Sequence, residues 1–279
     1  MSTSTVRGIG REDRLYAVGL ARAFAGAVIF SLPLLMTMEM WWFGFYLDRI
    51  RLLVFALANF VVLVGLSRVA GFQETHSRLE DVLDAFAAYA VAVVASAAVL
   101  LLIGVVEFGM PASEVTGKIA VQAVPASFGA MIANKTLGQA EEEKGTERWR
   151  GTYRGQLFLM LAGALFLSFN VAPTEEMVLI AYRMTPWHGV AMVLLSILLL
   201  DLLVYAVGFS GQKERGAGGF VAVLMHYTLA GYAIVVAVSL FVLWTFGRTQ
   251  GAGLPQIAMM VAVLAFPGSI GAAIARLVV

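Results

Sequence analysis

Two glutamates stand in matching surroundings in the two halves of the sequence, and their chemistry is that of a cation or proton site. Glu39 closes the run from Ser31 through Pro33 and Thr37, and Glu176 closes the run from Ser168 through Asn170, Pro173, Thr174 and Glu175. Each follows a proline, which removes a backbone donor and disturbs a helix. Pro173-Thr174-Glu175-Glu176 also reads as a helix start, with Thr174 as N-cap and acids in the first turn. A helix that breaks and restarts beside a glutamate exposes backbone carbonyls, a hydroxyl and a carboxylate together. Hard cations prefer such oxygen ligands, and broken helices frame ion sites in transporters. The candidate ion-binding set is therefore Glu39, Glu175, Glu176, Thr37, Thr174, Asn170 and Asp201, with Glu39 and Glu176 as the metal ligands. The alternative is that Glu39 and Glu176 only mark where the first helix of each half leaves the membrane.

The other ionisable residues within apolar stretches carry less. Asp201 has apolar neighbours on both sides, Leu198 to Leu200 and Leu202 to Val204. It is either a proton-relay group or the acceptor of a structural hydrogen bond or charge pair. His226 falls near the cytoplasmic start of a span, His188 joins Trp187 in an outer aromatic belt, and His76 lies in a loop. Three scattered histidines make no metal triad. With no cysteine there is no disulfide, thiolate metal site or iron–sulfur cluster. No cofactor is expected.

The elements that must hold these residues are transmembrane helices. The 279 residues are 60% hydrophobic and 13% charged, whereas a soluble domain carries about 45–50% apolar and about 25% charged residues. The surplus must face lipid. A formal net charge of +1, without a long basic run, gives no case for nucleic acid. A spanning helix needs about 20 mostly apolar residues, and the sequence offers eight candidates: 23–44, 52–67, 85–106, 119–133, 156–171, 189–208, 220–246 and 257–275. The second and fourth are short, so seven spans, with one segment re-entrant, is the main rival. Of the 19 Lys and Arg, 13 fall on the side that holds both termini. Five fall on the other (Arg49, Arg51, Lys118, Arg183 and Arg248), and Arg22 lies at the first span. The excess of positive charge marks the cytoplasmic side, so both termini are expected there. The first helix reads as retained, because no small-x-small cleavage site ends its apolar run.

The sequence also repeats itself. Residues 25–40 match 162–177 at an offset of 137, through Ala25-Gly26-Ala27, Ser31, Thr37, Glu39 and Met40. Tyr89, Ala90 and Ser96 match Tyr232, Ala233 and Ser239 at 143, and Pro125 to Ala133 match Pro267 to Ala275 at 142. The expected organisation is a cytoplasmic segment (1–22), a first membrane repeat (23–133), a charged cytoplasmic linker (134–155) and a second repeat (156–279). Each repeat holds four spans, an even number, so the two should lie parallel. The fold class is all-α, a polytopic bundle of about eight spans.

The segments around Thr37-Met38-Glu39 and Pro173-Thr174-Glu175-Glu176 resemble signature stretches of a bacterial family of integral membrane proteins of unknown function. The resemblance covers most of the chain and implies a membrane-embedded protein without assigning an activity. The segment from Asn170 to Glu176 is also similar to the Pro-Glu segments that bind calcium in cation/calcium exchangers. Those have inverted repeats where these read as parallel, so the likeness serves as an analogy for how an interrupted helix presents glutamate to a cation. The expected protein is a bacterial inner-membrane transporter, not an enzyme, with the lipid bilayer and a small cation or proton as partners and a homo-oligomer open. A channel is the nearest alternative. An intramembrane lipid-processing enzyme and a structural or sensory membrane protein are alternatives of other classes.

Overall fold

The computed structural model describes residues 3–70, 77–137, 152–207 and 227–278, and among these every regular element is a helix. The order is α1 (Thr3–Leu35), α2 (Met38–Tyr46), α3 (Arg49–Ala70), α4 (Arg78–Leu102), α5 (Ala112–Leu137), α6 (Tyr153–Val171), α7 (Glu175–Arg183), α8 (Pro186–Val207), α9 (Leu229–Thr245) and α10 (Leu254–Val278). A long helix, a nine-residue helix and three more long ones follow one another twice. The starts of α2 and α7, and those of α3 and α8, are each 137 residues apart.

Local sequence sets the helix ends. Ser77 and Thr152 are N-caps whose hydroxyls accept from Glu80 N at 3.3 Å and Gly155 N at 3.1 Å. The turns after α4 and α9 pass through Gly104 and Gly247, each with φ of 72°, in the left-handed region that glycine tolerates. The expected span over 23–44 is divided. Here α1 runs through Pro33 to Leu35, Thr37 takes an extended conformation (φ −95°, ψ 128°), and α2 starts at Met38. The two short candidates become full helices, α3 with 22 residues and α5 with 26. Among the described residues seven helices are long and apolar enough to cross a membrane, and α9 is a shorter apolar helix of 17 residues. Residues 220–226 of the expected seventh span, His226, His76 and most of the 134–155 linker lie outside the described residues.

Side-chain size is distributed as a bilayer demands. Helix α4 buries Ala85, Ala88, Ala92 and Ala95 and turns Leu83, Phe86 and Val94 outward, while α8 exposes Leu194, Leu198 and Leu202. Small residues let helices approach, and large apolar ones meet lipid.

The described chain forms two compact units. The first contains α1, α3 from Asn59 onward, α4 and α5. Here α1 crosses α5 at Gly26 and Gly129, and a Cβ on either would collide with the other's carbonyl oxygen. Gln122 Nε2 donates to Leu34 O at 3.1 Å, and Asn59 Nδ2 donates to Ser127 Oγ at 2.9 Å and Tyr89 Oη at 3.3 Å. The second unit contains α2, α3 through Ala58, and α6 to α10. Helices α6 and α10 cross at Gly163 and Gly271 with the same mutual exclusion of a Cβ. Phe55 packs against Phe169, Phe241 and Phe246, and Phe43 against Phe246.

At one end of the first unit, Arg68 Nε pairs with Asp81 Oδ2 at 2.7 Å, and Ser67 Oγ donates to Asp81 Oδ1 at 3.1 Å. The Asp81 side chain is 4% exposed and that of Arg68 48%, so the two partners are unequal. Arg68→Ala leaves a buried carboxylate without its counter-charge and should cost about 2 kcal/mol, below the range for a fully buried pair because Ser67 still donates. Asp81→Asn leaves an arginine that water can reach and should cost about 1 kcal/mol. Thermal unfolding in detergent, followed by tryptophan fluorescence, checks the order of the two.

Candidate ion site at the helix breaks

The two breaks are built alike up to their hydroxyls. Thr37 and Thr174 both stand at the N-cap with extended backbone, and the acids Glu39, Glu175 and Glu176 fall in the first turns of α2 and α7. Neither threonine caps its helix through its side chain. Thr174 Oγ1 instead donates back to Val171 O at 2.8 Å, satisfying a carbonyl that the end of α6 leaves open. The expected capping role of Thr174 is therefore positional only. Asn170 Nδ2 is likewise turned onto its own helix, donating to Phe166 O at 2.7 Å.

The carboxylates differ in their surroundings. Glu39 is half-buried and Glu176 exposed, and neither has a hydrogen-bond or ion-pair partner among the described residues. Glu175 is held: Arg248 Nη1 donates to its Oε1 at 2.8 Å. Arg248 Nη2 donates to Pro173 O, inside the break. The same guanidinium lies 5.3 Å from the centroid of the Phe43 ring, a cation–π distance. Phe43 follows Glu39 by four residues, one turn along the same face of α2. One arginine, its side chain 14% exposed, thus gathers α2, the α6–α7 break and the turn after α9. It takes up a break carbonyl and a carboxylate that sequence reasoning had offered to a free cation. Glu175 belongs to that anchor.

Asp201 lies elsewhere. It sits fifteen residues beyond Pro186, about 22 Å along α8 from the end nearest α7 at 1.5 Å per residue. It is buried and accepts from Thr228 Oγ1 at 2.7 Å. His188 Nδ1 is 2.7 Å from Thr185 Oγ1 at the exposed start of α8.

Sequence reasoning missed Arg248, which it counted only among the outer positive charges. Val105, its counterpart at offset 143, gave no hint. A second arginine shares this end of the unit: Arg51 Nη1 donates to Trp244 O at 2.7 Å, and its guanidinium lies 5.1 Å from the Trp244 ring centroid. A cation on the last carbonyls of α9 is favoured by the helix dipole. In the first unit Lys118 Nζ bonds Glu114 at 2.7 Å and Val105 O at 3.1 Å. Among the described residues no group of three or more His, Asp or Glu is placed to hold a metal ion.

A protein-family model described as "Putative integral membrane protein (DUF2391)" matches residues 19–279. The chain belongs to that family. The resemblance read from the segments around Thr37 and Thr174 therefore holds. The match takes in the ten helices of the described residues except the first turns of α1. As an integral membrane protein of this family, the chain sits in a lipid bilayer, which accounts for the leucine and phenylalanine faces turned outward on α4 and α8. The family description carries no activity. No curated protein and no solved structure matches the chain.

Proposed function

We propose that the protein is a membrane transport protein that moves a small cation or a proton past Glu39 and Glu176, in the inner membrane of a bacterium with both termini cytoplasmic. The observation that carries this reading is the repeated interruption: in each half a span stops, the chain extends at a threonine, and a nine-residue helix restarts with an unpaired glutamate in its first turn. Ionisable residues within membrane-spanning segments are costly and are usually functional. Two carboxylates suit a proton or a singly charged ion, and also a divalent ion whose remaining oxygen ligands are backbone carbonyls or waters. Carboxylates that sense one another titrate as a pair, so entry of a cation raises the tendency of the pair to lose a proton. Cation/proton exchange follows from that coupling, and a channel differs only in needing no proton. Two parallel repeats of four spans give the breaks a common depth. Transport rather than catalysis is the reading throughout.

The exposure of Glu176 favours a second reading, in which these acids mark where spans leave the membrane in a structural or sensory protein. Proteoliposomes loaded with a pH dye separate the two. Wild type should move protons in response to a Na⁺, K⁺, Mg²⁺ or Ca²⁺ gradient, and Glu39→Gln/Glu176→Gln should reduce the rate at least tenfold while keeping the wild-type unfolding temperature. An active double variant removes the glutamates from the path. A wild type that moves neither protons nor current, the latter measured electrically, overturns the transport reading.

A further inference from the structure

Helix α3 begins between two arginines. Arg49 is its first residue and Arg51 its third, at one end of a stretch long and apolar enough to cross a membrane. Arg51 is fixed in place. Its Nη1 donates to Trp244 O at 2.7 Å, and its guanidinium lies 5.1 Å from the Trp244 ring centroid. Its other N–H donors have no partner, and no carboxylate pairs with it, among the described residues. Arg49 is exposed and has no side-chain partner among the described residues. The neighbouring acid, Asp48, is engaged at the helix start, where its Oδ1 accepts from Ile50 N and Arg51 N at 3.0 Å each. An anion arriving here therefore meets arginine side chains and not bare helix-end donors. Asp48, Arg49 and Arg51 together carry a net charge of +1.

An apolar track leads away from these charges. Ile50, Leu53 and Leu57 are each more than half exposed, and Val54 is exposed beside them. Their spacing of three and four residues keeps them on one face of α3. The seven residues from Ile50 to Leu57 make a track of about 10 Å. Ile50 heads it, and Arg49 and Arg51 leave the helix about 100° to either side. Trp42, Phe45 and Tyr46, also more than half exposed, lie on α2 just before this corner. Such aromatic residues gather at the head-group level of a bilayer. The second repeat lacks the charges: at the offset of 137, Pro186 and His188 stand where Arg49 and Arg51 do.

We propose that Arg49, Arg51 and the track from Ile50 to Leu57 hold one anionic phospholipid, its phosphodiester between the two guanidinium groups and an acyl chain along the track. Guanidinium and phosphate pair through charge-assisted, often bidentate hydrogen bonds. One phosphodiester neutralises the corner, whereas a zwitterionic lipid brings an ammonium group beside the arginines and leaves the charge unbalanced. Inorganic phosphate would match the arginines and leave the track uncovered. Because Arg51 already ties α3 to the end of α9, the bound lipid braces that joint. The site does not depend on the role of the glutamates.

The test uses the full chain, delipidated in a neutral detergent and titrated with dioleoyl phosphatidylglycerol. Lipid retention is counted by native mass spectrometry beside the unfolding temperature. One lipid should be retained above the rest and should raise Tm. Dioleoylglycerol, with the chains but no phosphate, and glycerol 3-phosphate, with the phosphate but no chains, should each bind at least about tenfold more weakly. Arg49→Gln and Arg51→Gln should each weaken the lipid about fivefold. Each variant is compared with itself without lipid, so the Trp244 bond lost in Arg51→Gln does not enter. Arg49→Gln loses no bond within the described protein and carries the test alone if Arg51→Gln fails to fold. Arg183→Gln, the same charge change at the end of α7, should keep the affinity within about twofold. An equal loss in Arg183→Gln would make the attraction a general effect of surface charge and overturn the site. Wild-type binding by Arg49→Gln overturns it as well. Phosphatidylcholine bound as tightly as phosphatidylglycerol removes the recognition of charge, and glycerol 3-phosphate bound as tightly as the lipid makes this a free-phosphate site instead; either result overturns the proposal.

Discussion

Gly163→Ala and Gly271→Ala should each cost about 3 kcal/mol, the upper end of what overpacking a well-filled interior costs. At about 2–4 °C per kcal/mol for a chain of this size, Tm in detergent should fall by roughly 10 °C. The reason is the identity of the obstacle. At this crossing a new Cβ meets the opposite glycine's carbonyl oxygen and, at Gly163, the Cβ of Ala275. Neither can rotate away, so α6 and α10 must separate along their whole contact. Such backbone approach is what small residues contribute at a helix interface in lipid, where no hydrophobic force draws helices together. Gly189→Ala is the control, because its Cβ would meet Met259 Sδ at 2.7 Å, the far end of a flexible side chain. It should cost less than about 1 kcal/mol. Gly26→Ala and Gly129→Ala should behave as the α6–α10 pair does. Equal losses at Gly189 and Gly271 would contradict the argument.

Arg248→Ala should be nearly as damaging, at about 3 kcal/mol. Its guanidinium supplies charged hydrogen bonds to Glu175 and Pro173 O and lies over Phe43. Such bonds are worth about 1.5–3 kcal/mol and a cation–π contact about 0.5–2 kcal/mol. Their sum is discounted because the Glu175 side chain is 65% exposed and rehydrates when released. The ordering of variants is the sharper expectation. Glu175→Gln should cost less than about 1 kcal/mol, since the Pro173 carbonyl and the Phe43 ring keep their partner. Arg248→Lys should recover less than half of the loss, because one ammonium cannot reproduce the planar fork. Unfolding temperatures give the order directly. A Glu175→Gln loss as large as that of Arg248→Ala would mean that the ion pair, and not the break carbonyl, holds this end together.

The helices were legible where the cause was local. Runs such as 85–106 and 257–275 carry little or no charge, and they fold as α4 and α10. The interruption at Thr37 and Thr174 was legible because the threonine and glutamate recur with the same spacing, and because Pro173 cannot continue α6. What stayed hidden depends on residues far apart in the chain. Arg248 meets Pro173, Glu175 and Phe43 across 75, 73 and 205 positions, and no spacing rule links them. The place of Asp201 was ambiguous for the same reason: its partner Thr228, the N-cap residue of α9, is 27 positions away.

The membership of α2 in the second unit sets an order of events in time. Phe43 packs against Phe246 at 5.0 Å between ring centroids, 203 positions later in the chain. At about 5–20 residues per second, the ribosome delivers the second ring some 10–40 s after the first. Phe43 and Phe55, both buried in the finished protein, gain their partners in turn over that interval: Phe169 on α6 reaches Phe55 first, and Phe246 comes last. The lipid, or whatever machinery inserts the chain, must hold these side chains until the last turns are made. Completion of the second unit is therefore a late step of synthesis, and any pause before residue 246 lengthens the exposure of the segment that opens with Thr37.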